Sequence, residues 1–162
     1  MQLSCILNIL RDIPFFHRII YTELMLKLPA NLTDLLKLGI FPFLVFMLNY
    51  TLGSVFSDQY YAAVHADIPM HFFGGMSIAY SAWRATALLE RKGLLVIRNG
   101  ALRAFAIVCV VMLVAVVWEF YEFLSDHFVG THYQPNNADT MKDLCMGMIG
   151  AIIFLFAKME TL

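Results

Sequence analysis

From Phe105 to Trp118 the chain runs through fourteen consecutive apolar residues without a charge. With its flanks, this run reaches the ~20 residues a helix needs to cross a hydrocarbon core. A bilayer offers no water to backbone amides, so such a run must satisfy its own hydrogen bonds as a helix. Three more stretches have a similar character. The predicted spans are residues 35–56, 68–89, 101–124 and 140–157. The expected fold is therefore all-α, a polytopic transmembrane bundle of about four spans. Composition agrees: 60% of the 162 residues are hydrophobic and only 14% charged, where a soluble domain is usually about half apolar and a quarter charged. The formal net charge of −1 gives no reason to expect a nucleic-acid partner.

Before the spans, residues 1–34 read as an N-terminal segment, with residues 35–162 as the membrane domain. Arg11, Asp12, Arg18, Thr22, Glu23 and Lys27 share one helical arc, and Ile13, Ile20, Tyr21, Leu24, Met25 and Leu28 the opposite one. That split suits an amphipathic helix lying in the membrane surface, or one packed on the bundle. No cleavable signal peptide is expected, because the first ten residues hold no Lys or Arg and no small-residue cleavage site follows. Cys5, Cys109 and Cys145 lack metal or redox spacing and read as small apolar residues. Pro42 interrupts the first span, which is tolerated when a neighbour satisfies the freed carbonyl.

Charge sets the orientation. Arg84, Arg91, Lys92, Arg98 and Arg103 cluster around the second connection, whereas residues 57–66 and 125–138 contain no Lys or Arg. Basic loops stay cytoplasmic, so both termini are expected inside, in a multi-pass protein of the cell membrane. The remaining polar residues then gather at the extracytoplasmic boundary. Asp67 and His71 open the second span, Glu119, Glu122 and Asp126 close the third, and Asp139 and Asp143 open the fourth. His65, His127 and His132 join them, and Lys142 is the one base nearby.

On a helix Glu119, Glu122 and Asp126 fall within about 60° of one another. A further pattern links the second and fourth spans. Asp67-x3-His71-x3-Gly75-x3-Ala79 matches Asp139-x3-Asp143-x3-Gly147-x3-Ala151 at an offset of 72 residues. Each polar pair heads a stripe of small residues, Gly74 and Gly150 included, which lets helix backbones approach closely in lipid.

Each residue also has a plain structural reading. Asp67 and Asp139 could be helix N-caps. Glu119 could snorkel to water, while Asp126 and His127 would lie past a helix end in a solvated loop. Capping leaves His71 and Asp143 unexplained, since both sit one turn further in. Carboxylates about 4 Å apart repel by roughly 4 kcal/mol at an effective dielectric near 20. The cluster must therefore be partly protonated or hold a cation. Carboxylates with one His suit Mn, Fe, Zn or Mg. The expected ligands are Asp67, His71, Glu119 and Asp143, with Asp126, Asp139 and His127 as possible additions. Glu122 is the candidate catalytic residue, a general base that takes a proton from water. Phosphate-binding glycine loops, cysteine pairs, HExxH and GxSxG are all missing from the sequence.

The order Asp-x3-His, Trp-Glu-x2-Glu, Asp-x3-Asp with a following Gly resembles small bacterial membrane proteins of the VanZ-like and YjdF-like kind. Here it is carried by Asp67/His71, Trp118-Glu119/Glu122 and Asp139/Asp143/Gly147, within residues 67–151. For VanZ-like proteins the resemblance implies a link to glycopeptide-antibiotic tolerance; it implies no settled activity for YjdF-like ones. This chain has Ile68 where VanZ-like proteins usually place a Lys, and fewer early spans than YjdF-like proteins.

Three functions compete. The first is a divalent-cation site that binds or acts on a membrane lipid or cell-envelope precursor, as a metal-dependent hydrolase or transferase if it is an enzyme. The second is a non-catalytic scaffold or partner-binding protein whose polar cluster locks helix packing. The third is a cation carrier, which the scarcity of polar residues deeper in the spans disfavours.

Overall fold

The computed structural model describes residues 32–55 and 66–159. The expected N-terminal amphipathic helix lies outside them, as do His65 and most of the first connection. Four helices account for the described chain: α1 Leu32–Val55, α2 Asp67–Arg91, α3 Gly100–Val129 and α4 Asn137–Met159. No strand occurs among these residues. Helices α1, α3 and α4 are each long and apolar enough to cross a membrane. Helix α2 is not, and its place in the bundle explains why. It is the inner helix, packed on all three others and most extensively on α4. Side chains that face protein instead of lipid need not be apolar, so α2 accommodates His71, Ser77, Ser81 and Arg84.

Helices consecutive in the chain alternate in direction. Asp34 near the start of α1 meets Arg91 at the end of α2 at 3.9 Å, and Glu90 of α2 is ion-paired with Arg103 of α3. Arg103 also donates to the Ile97 carbonyl at 3.1 Å and sits 5.4 Å from the Trp83 ring centre. This end of the bundle is basic. The opposite end of α2, 25 residues and about 37 Å away, carries the acids.

Two close approaches hold α2 in place. On one side, Pro42 cannot donate to the Leu38 carbonyl one turn earlier. The Ser81 hydroxyl of α2 donates to that oxygen at 2.6 Å, and the Tyr80 and Phe41 rings meet edge to face at 4.9 Å beside it. On the other side, α2 and α4 touch backbone to backbone. A Cβ on Gly75 would collide with the Gly147 carbonyl, and one on Gly150 with the Phe72 carbonyl. Gly147 itself is roomier: a Cβ there would meet the His71 carbonyl at 3.7 Å and the Ala115 methyl at 4.0 Å, both ordinary contacts. Gly74 faces open space. The small stripes therefore do pack on each other, with Gly75 and Gly150 as the positions that require glycine. Deeper in the bundle Ala79, Ile107, Val111, Ala151, Phe154 and Leu155 form the core.

Helix ends depart from expectation in α3 and α4. Helix α3 runs on through Ser125, Asp126 and His127 to Val129, so these residues are helical and not in a loop. A polar run does not stop a helix; Gly130 does, at φ 79°, where its N–H bonds the Ser125 carbonyl. Helix α4 begins at Asn137 because the Asn136 side chain accepts from the Asp139 N–H at 3.2 Å. Asp139 is therefore not the cap. Nor is Asp67, which is the first residue of α2, after Ala66.

Candidate functional site

The starts of α2 and α4 and the last third of α3 bring the acids together in two groups. In one, His71, Glu119 and Glu122 each offer a ligand atom, and these atoms lie within 4.8 Å of one another. In the other, Asp67, Asp139 and Asp143 do the same. His71 Nε2 lies 3.9 Å from Asp143 Oδ2, which joins the two.

The groups differ in what neutralises them. Lys142 stands inside the second group, its ammonium 2.8 Å from Asp67 Oδ2, 2.6 Å from Asp139 Oδ1 and 3.8 Å from Asp143 Oδ1. The base that the sequence leaves as an isolated charge is thus the built-in counter-ion of three carboxylates. The first group meets neutral donors. The Trp118 indole N–H donates to Glu122 Oε1 at 2.7 Å. The Gln134 amide donates to Glu119 Oε2 at 2.6 Å.

Glu119 and Asp143 are the two buried acids among the described residues, at 5% and 3% exposure. Each keeps one oxygen that makes no hydrogen bond, Glu119 Oε1 and Asp143 Oδ1, the latter 3.8 Å from the Lys142 ammonium. Buried carboxylate oxygens without partners are costly, about 1–3 kcal/mol or more for a charged group. The arrangement of one imidazole, two glutamates and a neighbouring aspartate can hold a divalent cation by donor type.

The expected ligands therefore separate. His71 and Glu119 lie together with Glu122, and Asp143 adjoins them through Oδ2, 3.9 Å from His71, while its Oδ1 faces Lys142 at 3.8 Å. Asp67 and Asp139 are turned to Lys142. Asp126 is not in either group; it accepts from Thr131, Tyr133 and Gln134 in the α3–α4 connection. His127 is exposed and stacks on Phe123, with ring centres 6.3 Å apart. Sequence reasoning missed Gln134 and the donor role of Trp118. Neither carries charge, and Gln134 lies in a connection fifteen residues from the acid it contacts.

A family described as "Predicted membrane protein (DUF2238)" matches residues 16–160. No curated protein and no solved structure matches the chain.

Proposed function

The chain belongs to this DUF2238 family of membrane proteins, and on that premise we propose that it holds a divalent cation at one end of a four-span bundle. The cation serves to bind or act on a lipid or cell-envelope precursor at the outer leaflet. His71, Glu119 and Asp143 are its ligands, and Glu122, fixed by Trp118, is the base that accepts a proton. Mn, Fe, Zn and Mg fit the donors. One observation carries the reading: Glu119 and Asp143, both more than nine-tenths buried, each keep an oxygen that accepts no hydrogen bond, in a cluster with His71, whose Nε2 lies 3.9 Å from the other Asp143 oxygen. The other oxygen of Glu119 accepts from Gln134, and Glu122, Asp67 and Asp139 each have a donor. The resemblance of the motif order to VanZ-like proteins, with their link to glycopeptide-antibiotic tolerance, is the ground for proposing an envelope role.

The ion stabilises the folded form by RT ln(1 + [L]/Kd), about 2.7 kcal/mol at a hundredfold excess over Kd. Elemental analysis of the purified protein should find a divalent metal. Chelator should lower its melting temperature, and the double replacement Glu119→Gln, Asp143→Asn should remove that response. A native protein free of metal and indifferent to chelator would refute the site.

A second reading draws on Lys142. Its bonds to Asp67 and Asp139 tie α4 to α2, which favours a packing role for that half of the cluster.

A further inference from the structure

Asp126 spends both carboxylate oxygens on its own chain. Oδ1 accepts from the Thr131 hydroxyl at 2.6 Å and the Tyr133 N–H at 2.8 Å, and Oδ2 from the Gln134 N–H at 2.8 Å. With Gly130 in the left-handed conformation, these bonds fold the connection back along α3. The Gln134 side chain then reaches Glu119. Its Nε2 lies 2.6 Å from Oε2 and 3.1 Å from the Glu119 carbonyl oxygen. Both partners are acceptors, so the amide nitrogen and not the amide oxygen must face them.

With Oε2 held in this way, Oε1 is the open atom of Glu119, and it is buried without a hydrogen bond. We propose that Gln134, anchored by Asp126, is a positioning residue that presents Glu119 to a divalent cation through one oxygen. The inference rests on the cation reading above and adds a selectivity to it. Ca²⁺ takes six to eight oxygens, often from carboxylates bound through both atoms, whereas transition ions accept fewer ligands and an imidazole. A glutamate restricted to one oxygen therefore favours the smaller transition ion. Freeing the second oxygen narrows that preference.

The test uses the full chain in detergent, stripped of metal and titrated with cobalt(II) chloride, followed by its visible absorption bands. Calcium chloride serves as competitor. Wild type should show a saturable band that calcium displaces poorly. Gln134→Met keeps the side-chain length and loses both donors. It should raise the cobalt Kd by about 10–100-fold, the usual range for a residue that orients a ligand. The band shape should change, and calcium should compete better. Asp126→Asn sets an amide N–H against the Gln134 N–H and should move the same readouts in the same direction. It decides the matter if Gln134→Met does not fold. A lower metal-free melting temperature with unchanged Kd and spectrum would mean the strap is only structural, and overturns the inference while leaving the cation site intact. No saturable band in wild type refutes the cation reading and this inference with it.

Discussion

Lys142 decides how many charges the cluster must balance by other means. Its ammonium serves Asp67 and Asp139, which are 26% and 17% exposed at the side chain. Replacing it with Met leaves two partly buried carboxylates facing each other. We expect Lys142→Met to destabilise the fold by about 2–3 kcal/mol, the range for stranding buried charge. Adding Asp67→Asn should recover part of the loss. Because Asp67, Asp139 and Asp143 then form an unoccupied acidic triad, added divalent ion should stabilise Lys142→Met more than wild type in a detergent melting assay. Equal responses would show that the triad has no ion-binding geometry of its own. The residue types of this site were legible in the sequence, since Asp67, His71, Glu119, Glu122 and Asp143 stand out as charge among apolar runs. Their division into two groups was not. That depends on which way a single lysine turns, and on a neutral Gln134 that hydropathy and charge do not distinguish from any loop residue.

At the scale of elements, the α2–α4 pair explains the 72-residue offset. Matched positions meet each other: Asp67 and Asp139 through Lys142, His71 and Asp143 at 3.9 Å, and Gly75 against Gly147. Ala79 and Ala151 both lie in the core beneath. The two helices are thus parallel and in register. The small stripe seats the polar pairs against each other; the periodicity foretold a close backbone approach beneath each pair, and not that the two stripes would meet. It did not distinguish the glycines. Gly75→Ala and Gly150→Ala should each destabilise by about 1–3 kcal/mol, because backbone cannot move aside as a flexible side chain would. Gly74→Ala, with open space around it, should be neutral or stabilising by up to about 1 kcal/mol through helix propensity. Equal effects at 74 and 75 would remove the close approach from the account. On the other side of α2, the Ser81–Leu38 bond predicts a coupling. Ser81→Ala should cost about 0.5–2 kcal/mol, but little in a Pro42→Ala background, where residue 42 regains an N–H for the Leu38 carbonyl. Additive costs in that double-mutant cycle would mean the serine serves something other than the proline gap.

The whole molecule is a bundle with a basic end and an acidic end, and orientation follows from which one stays in the cytoplasm. By sequence all four stretches read alike as spans, whereas α2 is not apolar enough to be a crossing by composition, because the inner helix is shielded from lipid by its neighbours. The alternation of directions makes α2 cross whatever its neighbours cross, since its ends meet theirs at Asp34–Arg91 and Glu90–Arg103 on one side and at the carboxylates on the other. Four crossings, the expected number, would place both ends of the bundle's chain on one side. The connection between α2 and α3 carries Lys92 and Arg98 with Arg91 and Arg103 at its edges, while residues 130–136 carry no Lys or Arg. By the positive-inside rule we expect the basic end in the cytoplasm and the carboxylates at the outer boundary. Reporter fusions after Ala63, Lys92, Gln134 and Leu162 should read out, in, out, in. Adding two lysines to residues 130–136 should weaken that bias, since loop bases govern insertion. A periplasmic signal at Lys92 would invert the bundle, leave the cation site facing the cytoplasm, and make an outer-leaflet substrate untenable.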